Sequence, residues 1–190
     1  IDFWSKLSEK LKKDYNIFLL LFSYDSIGKY QNYFDKNQII IIDDLSRYKL
    51  IDSKIDSIDL TSINKNSILN DFSEILVGDR HLGRNFSFLG LGYGPNKLYK
   101  YSSYGKSYNY VKKFEKKISQ LVKNKNIDLV LTSVVANIDK KIIAQYCKRN
   151  SIRARYLTHN KFKNGYYWAE DEKQFSSKII SAFKHYKNER

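Results

Sequence analysis

The apolar positions of this chain switch between two periods. Trp4, Leu7 and Leu11 fall one turn apart, which predicts an amphipathic helix over residues 2–13. Ile17–Phe22 is a continuous apolar run entered through Asn16, and Gln38–Ile42 is a second run, closed by Asp43 and Asp44. Runs of this length without alternation suit strands buried on both faces, as in a parallel sheet. Ser26–Phe34 between them fits a short helix, residues 45–60 are ambiguous, and residues 61–76 read as a helix with Ile68, Leu69, Phe72 and Ile75 inward.

Residues 78–105 interrupt the alternation. They hold most of the glycines and the single proline, Pro95, and a long irregular stretch inside a compact domain is usually a functional or mobile loop. The clearest helix follows, over about 106–125. Val111, Phe114, Ile118, Leu121 and Val122 form its apolar stripe, and lysines cover the opposite face. Asp128–Thr132 predicts a strand. Asn137 and Asp139 suit a helix start, and Ile138, Ile142, Ile143, Tyr146 and Cys147 line a helix to about Arg149. Arg153–Leu157 predicts a strand and Thr158–Trp168 a polar, aromatic loop. Glu170, Asp171 and Glu172 place negative charge at the start of a last helix, whose expected buried face is Phe175, Ile179, Ile180, Phe183 and Tyr186.

Alternation with short connections implies an α/β fold: a Rossmann-like three-layer sandwich around a mostly parallel sheet. Residues 1–190 read as a single such domain, the N-terminal part of a longer two-domain protein. The chain opens on a helix, where a doubly wound domain opens on a strand, so a first strand is expected before Ile1.

Composition narrows the setting. The net charge of +14 admits a polyanionic partner: nucleic acid, an anionic membrane surface or a sugar nucleotide. The lysines are scattered, however, and Lys, Ile, Asn and Tyr are enriched together, as a low-GC genome would produce, so composition bias is the stronger reading of the charge and a polyanionic partner, nucleic acid included, the weaker. The densest cluster, Lys112-Lys113 and Lys116-Lys117, belongs to the polar face of a helix. One cysteine, Cys147, rules out an internal disulfide framework and points to a reducing, cytoplasmic setting. No apolar run is long enough to span a bilayer, and no signal peptide is visible at the start.

In an open α/β sheet, ligands bind at the carboxyl ends of the strands. Here those ends carry Ser23-Tyr24-Asp25, Asp43-Asp44, Asp79-Arg80-His81, Thr132-Ser133 and Thr158-His159-Asn160-Lys161. Asp79 or His81 can act as general base, and Arg80 and Arg84 can hold a phosphate; the plain alternative is a surface turn in which Asp79 pairs with Arg80 or Arg84. Gly90, Gly92 and Gly94 resemble a phosphate-cradling loop, but Pro95 follows and no Lys-Ser or Lys-Thr pair completes a P-loop, so a flexible lid fits as well. His159, Lys161 and Lys163 lie near Tyr166, Tyr167 and Trp168, where aromatics can stack on a sugar or base and cations can meet phosphate; a basic surface loop is the alternative. His81, His159 and His185 are isolated, which argues against a metal centre, and Asp43-Asp44 reads as a strand-ending turn before a cation site. GxSxG and SxxK are absent, which disfavours a serine hydrolase.

Several segments together resemble one family. Ile75-Leu76-Val77-Gly78-Asp79-Arg80 through Gly94 looks like the "(S/G)DR" loop and glycine-aromatic stretch of bacterial capsule and surface-polysaccharide biosynthesis proteins. Asn126-Ile127-Asp128-Leu129-Val130-Leu131 is similar to that family's "K-x-D-L-V" strand entry, and Ala144–Ile152 to its "A-x-x-x-x-x-x-I" helix. Tyr156–Trp168 resembles its loop "L-x-x-S-R-I-x-N-R-Y-x-W", although His159-Asn160 replaces Ser-Arg and Gly165 replaces Arg. The resemblance covers roughly residues 70–187.

The resemblance implies the N-terminal, acceptor-side domain of a GT-B-like glycosyltransferase, with the donor grip mostly in a second domain. Asp79 or His81 would be catalytic. Arg80, Arg84, Gly90, Gly92, Gly94, Thr132, Ser133, His159, Asn160 and Lys163 would bind substrate. The donor would be a nucleotide sugar, with no separate cofactor and no metal. The acceptor would be a saccharide or lipid-linked, placing the protein in the cytoplasm or at the inner membrane face. A basic nucleic-acid-binding domain and a non-catalytic assembly domain are the alternatives.

Overall fold

The structure is a computed structural model that describes residues 3–21, 26–42, 67–77, 104–133, 138–159, 165–171, 173 and 175–188. The chain divides into two compact units, residues 1–53 and 54–190.

The first unit runs α1 (Phe3–Leu11), β1 (Leu19–Leu21), α2 (Ile27–Tyr30), β2 (Ile39–Ile41). The apolar stripe of α1 is half-covered, and the small Ser5 and Ser8 face inward, with the Ser8 hydroxyl donating to the Ser5 carbonyl at 2.8 Å. Lys12 closes the helix by donating to the Tyr33 carbonyl while its ammonium sits 5.3 Å over the Phe34 ring. β1 and β2 pair in parallel, Leu19 with Ile39 and Leu21 with Ile41, and α2 lies between them in sequence. Among the described residues of this unit, Leu21, Phe34 and Ile42 are the buried apolar ones. The rest of both strands stays half-buried, so the expected burial on both faces is only partly realised.

Among the described residues the second unit begins with a 3-10 turn, Ile68–Asp71, that continues into α3 (Phe72–Val77). Ser67 caps it, accepting from the Leu69 amide at 3.2 Å. Glu115, on the long helix α4 (Tyr104–Lys125), accepts from the Ser67 hydroxyl at 2.7 Å and the Ile68 amide at 2.8 Å, so a carboxylate meets the positive end of the turn. The predicted stripe of α4 is the packed one: Val111, Phe114 and Ile118 are buried and Lys112 and Lys116 exposed. It extends N-terminally through Ser107–Tyr110, with Tyr108 edge-on to Phe72 at 5.4 Å.

α4 ends at Asn126, in the left-handed region at φ 50°, and the Ile127 amide reaches back to the Val122 carbonyl at 3.0 Å. That is a Schellman closure, and it delivers the chain into β3 (Leu129–Ser133). α5 (Ile138–Arg149) ends the same way. Ser151 adopts φ 55°, and the Ile152 amide bonds the Cys147 carbonyl at 2.9 Å before β4 (Arg153–His159) begins. β3 and β4 are parallel, in register from Leu129–Arg153 to Ser133–Leu157, so β3–α5–β4 is a βαβ unit. Tyr156, Ala144 and Ala169 form a small buried cluster between sheet and helix. Arg149 clamps α5 to the 3-10 turn by a two-pronged bridge to Asp71, at 2.5 and 2.7 Å.

Two expectations are corrected. The segment from Thr158 to Trp168 is not all loop. β4 continues through His159, and β5 (Tyr166–Ala169) returns antiparallel, pairing His159 with Tyr166 and Tyr156 with Ala169. The aromatic run Tyr166-Tyr167-Trp168 has strong strand preference, and pairing satisfies its backbone. The last helix, α6 (Ser177–Asn188), does not bury the predicted face: Phe175, Ile179, Ile180, Phe183 and Tyr186 are all exposed. Of the three acidic residues expected at its start, Glu170 meets the helix, Asp171 binds the Phe175 amide ahead of it, and Glu172 lies outside the described residues. Glu170 accepts from the Ser177 amide at 3.1 Å and from its hydroxyl, which lowers the Glu170 pKa.

Among the described residues the class is mixed α/β: a two-stranded parallel sheet, and a three-stranded sheet of order β3-β4-β5 with one parallel and one antiparallel pair. Among the described residues, no helix is long and apolar enough to cross a membrane.

Candidate functional site

The carboxyl ends of β3 and β4 are the positions where a βαβ unit presents side chains to a ligand. Thr132 and Ser133 end β3, His159 ends β4, and register places Ser133 beside Leu157, two residues from His159. The structure therefore brings three of the sequence-selected residues to one sheet edge. His159 is exposed and meets Tyr166 edge-on, ring centroids 5.0 Å apart, so the hairpin fixes an imidazole against a phenol.

The first turn of α5 adds a residue that motif reading missed. The Lys140 ammonium donates to the Ser133 hydroxyl. Burial makes its charged form harder to hold and lowers its pKa, an effect that neighbouring Asp139 partly offsets. Asp139 itself is buried and accepts from the Tyr110 hydroxyl of α4, which locks the helix start against the long helix. A half-buried lysine sharing a hydrogen bond with a serine can do two things. The pair can hold an anionic oxygen between two donors, or the lysine in its neutral form can take a proton from a hydroxyl.

One signal for Lys140 was present in the chain. A lysine in the first turn of a helix opposes the helix dipole, and a local rule broken in this way marks a place with another demand on it.

Asp79, Arg80, His81, Arg84, Gly90, Gly92, Gly94, Asn160 and Lys163 lie outside the described residues, as do Asp25, Asp43, Asp44 and Lys161. Their convergence with His159 is therefore not a feature of the described site. Among the described residues, no group of three or more His, Cys, Asp or Glu is placed to hold a metal ion.

A shallow cleft of about 250 Å³ opens at the other end of the same βαβ unit, beside the amino half of β4. Lys148, Arg155 and Glu170 are among its walls. Its two carboxylates are committed to structure: Glu170 caps α6, and Asp171 accepts from the Phe175 amide at 2.9 Å. The Ser133–Lys140 pair thus carries the more specific chemistry, although it lies outside that cleft. No protein-family model, curated protein or solved structure matches this chain.

Proposed function

We propose that the chain is the acceptor-side domain of a GT-B-like glycosyltransferase of cell-surface polysaccharide synthesis, a Rossmann-like three-layer domain working in the cytoplasm at the inner membrane face. The observation that carries this reading is the Lys140–Ser133 pair at the carboxyl edge of the parallel β3–β4 strands, where α/β domains take phosphorylated ligands. The motif resemblance over residues 70–187 supplies the reaction class.

In this reading a nucleotide sugar is the donor and a saccharide or lipid-linked hydroxyl the acceptor. Asp79 or His81 takes the acceptor proton. The acceptor oxygen bonds the anomeric carbon as the bond from that carbon to the nucleoside diphosphate breaks. Arg80, Arg84 and Lys163 steer the charged groups. Lys140 and Ser133 hold an anionic oxygen at the strand edge, with His159 and Tyr166 forming one wall.

The test is turnover of a panel of sugar nucleotides by the full-length protein. Ser133→Ala and Lys140→Ala are expected to raise KM, each loss of a charge-assisted contact being worth roughly tenfold. Asp79→Ala and His81→Ala are expected to lower kcat. Turnover unchanged in all four variants, or no turnover of any donor, overturns the reading. If instead the chain binds short duplex DNA with an affinity that falls steeply with salt, the nucleic-acid reading of its +14 charge replaces it.

A further inference from the structure

Nine large apolar side chains among the described residues are exposed, and five of them fall between Phe175 and Tyr186. That concentration makes a patch rather than ordinary scatter. On α6, Ile179, Ile180, Phe183 and Tyr186 occupy one arc, roughly 120° wide at helical spacing. All of α6 whose side chains are described, residues 177–187, is exposed, so this face has no cover from the protein's own described elements.

The charge on the helix says what would cover it. α6 carries Lys178, Lys184, His185 and Lys187 and no carboxylate. At helical spacing Lys184 falls just beyond the Ile180 edge of the arc, Lys178 lies farther out past the Tyr186 edge with Ala182 between, and Lys187 falls within the arc in the last turn; their stems can lie along the apolar face and their ammonium groups point to a charged layer. Of the three carboxylates before the helix, Glu170–Glu172, the two among the described residues are turned to bonds with Ser177 and Phe175. A second copy of the chain would set one lysine-bordered stripe against another within a molecule of net charge +14. An anionic lipid surface meets both demands at once: acyl chains for the stripe and headgroup phosphates for the lysines. The length agrees. Twelve residues of helix measure roughly 18 Å, short of the roughly 30 Å of a hydrocarbon core, so the helix suits the plane of the interface.

We infer that α6 is an in-plane membrane-binding helix that docks the protein on anionic phospholipid through Ile179, Ile180, Phe183 and Tyr186, flanked by Lys178 and Lys184.

The experiment is co-sedimentation of the full chain with vesicles of equal parts phosphatidylcholine and phosphatidylglycerol, against phosphatidylcholine alone. The chain should bind the mixed vesicles well and the neutral ones weakly, and binding should fall between about 0.1 M and 1 M salt as the Debye length shrinks from about 10 to 3 Å. Lys178→Gln and Lys184→Gln should each weaken it by roughly fivefold. The double variant Ile180→Asp, Phe183→Asp should lose roughly tenfold or more while keeping its melting temperature, because its side chains leave the packed part of the protein untouched. Four results overturn the inference: no binding to mixed vesicles; equal binding by the double variant; a large drop in its melting temperature, which would place the face inside the fold; or a wild-type dimer in sedimentation that the double variant splits, which would make the occupant a second copy.

Discussion

Arg149 and Asp71 give the sharpest test of how the second unit holds together. The guanidinium meets the carboxylate through Nε at 2.5 Å and Nη2 at 2.7 Å, and the two side chains are 25% and 23% exposed. At that exposure the pair sits between two regimes. Surface ion pairs measure about 0.2–1 kcal/mol, and hydrogen bonds to charged groups about 1.5–3 kcal/mol. Two parallel bonds in a planar fork argue for the upper part of the first range and the lower part of the second, so a coupling energy of about 1–2 kcal/mol is expected. Solvent over the remaining quarter keeps it from going higher. A double-mutant cycle of Arg149→Met and Asp71→Asn, read by urea denaturation, isolates this term from the cap and dipole effects that each single change also carries. The pH dependence has a defined sign. The hydrogen bond from Arg149 lowers the Asp71 pKa below its ordinary 3.8, against a smaller opposing push from burial. A carboxylate with a depressed folded-state pKa contributes stability that is in place above about pH 4 and is lost as pH falls through the folded value. The coupling should therefore be constant near neutrality and vanish in acid. A cycle energy below about 0.3 kcal/mol at pH 7, or one that grows on acidification, would refute the clamp as a link between α5 and the 3-10 turn.

Other changes test separate parts of the fold. Ser151→Gly should raise stability by about 0.5–1 kcal/mol, because a non-glycine at φ 55° pays about 1–2 kcal/mol and glycine returns part of the gain as chain entropy; Asn126→Gly should gain less, since asparagine tolerates that region. Thermal melts of both variants check the order. Burial pushes the Cys147 thiol up to about 11, so about one thiol in a thousand is ionised at pH 8, and the native protein should resist a thiol-specific disulfide reagent that labels the urea-unfolded chain readily. Glu170 should stay ionised below the ordinary carboxylate range through its bonds to Ser177; as pH falls through that lowered value the cap is lost, and the Ser177 amide should exchange faster with solvent. Exchange at Ser177 that is indifferent to pH, and to Glu170→Gln, would remove Glu170 from the cap.

The helices were largely legible because their signal is redundant. In α4 the stripe Val111–Phe114–Ile118 and the lysines opposite agree, and the buried positions match. The strands were legible in place but not in partner. Isoleucine runs such as Ile39–Ile41 announce extended chain, whereas pairing into a two-stranded and a three-stranded sheet depends on contacts distant in sequence. β5 was missed because Tyr166–Trp168 is short, aromatic and preceded by polar residues, so composition looked like a loop; only the return onto β4 makes it a strand. α6 shows the opposite failure. Its period predicts a buried face, but periodicity reports amphipathicity, and an amphipathic helix can turn its apolar face to any apolar phase.

The same distinction governs the site. Thr132, Ser133 and His159 were found from a topological rule, because strand ends can be counted along a sequence. Lys140 escaped because its place depends on reaching back seven residues along the chain to the Ser133 hydroxyl, a contact with no motif of its own. What the chain did display was a cost: a lysine at the positive end of a helix, part-buried, with its charged form disfavoured. Costs of this kind persist where something offsets them. Replacing Lys140 by Gln should therefore leave the fold as stable or slightly more so, by up to about 0.5 kcal/mol, while weakening whatever anion the Ser133 edge holds. A Lys140→Gln variant that unfolds more easily would make the lysine a structural strut, and the Ser133 edge would lose its claim to be a binding site.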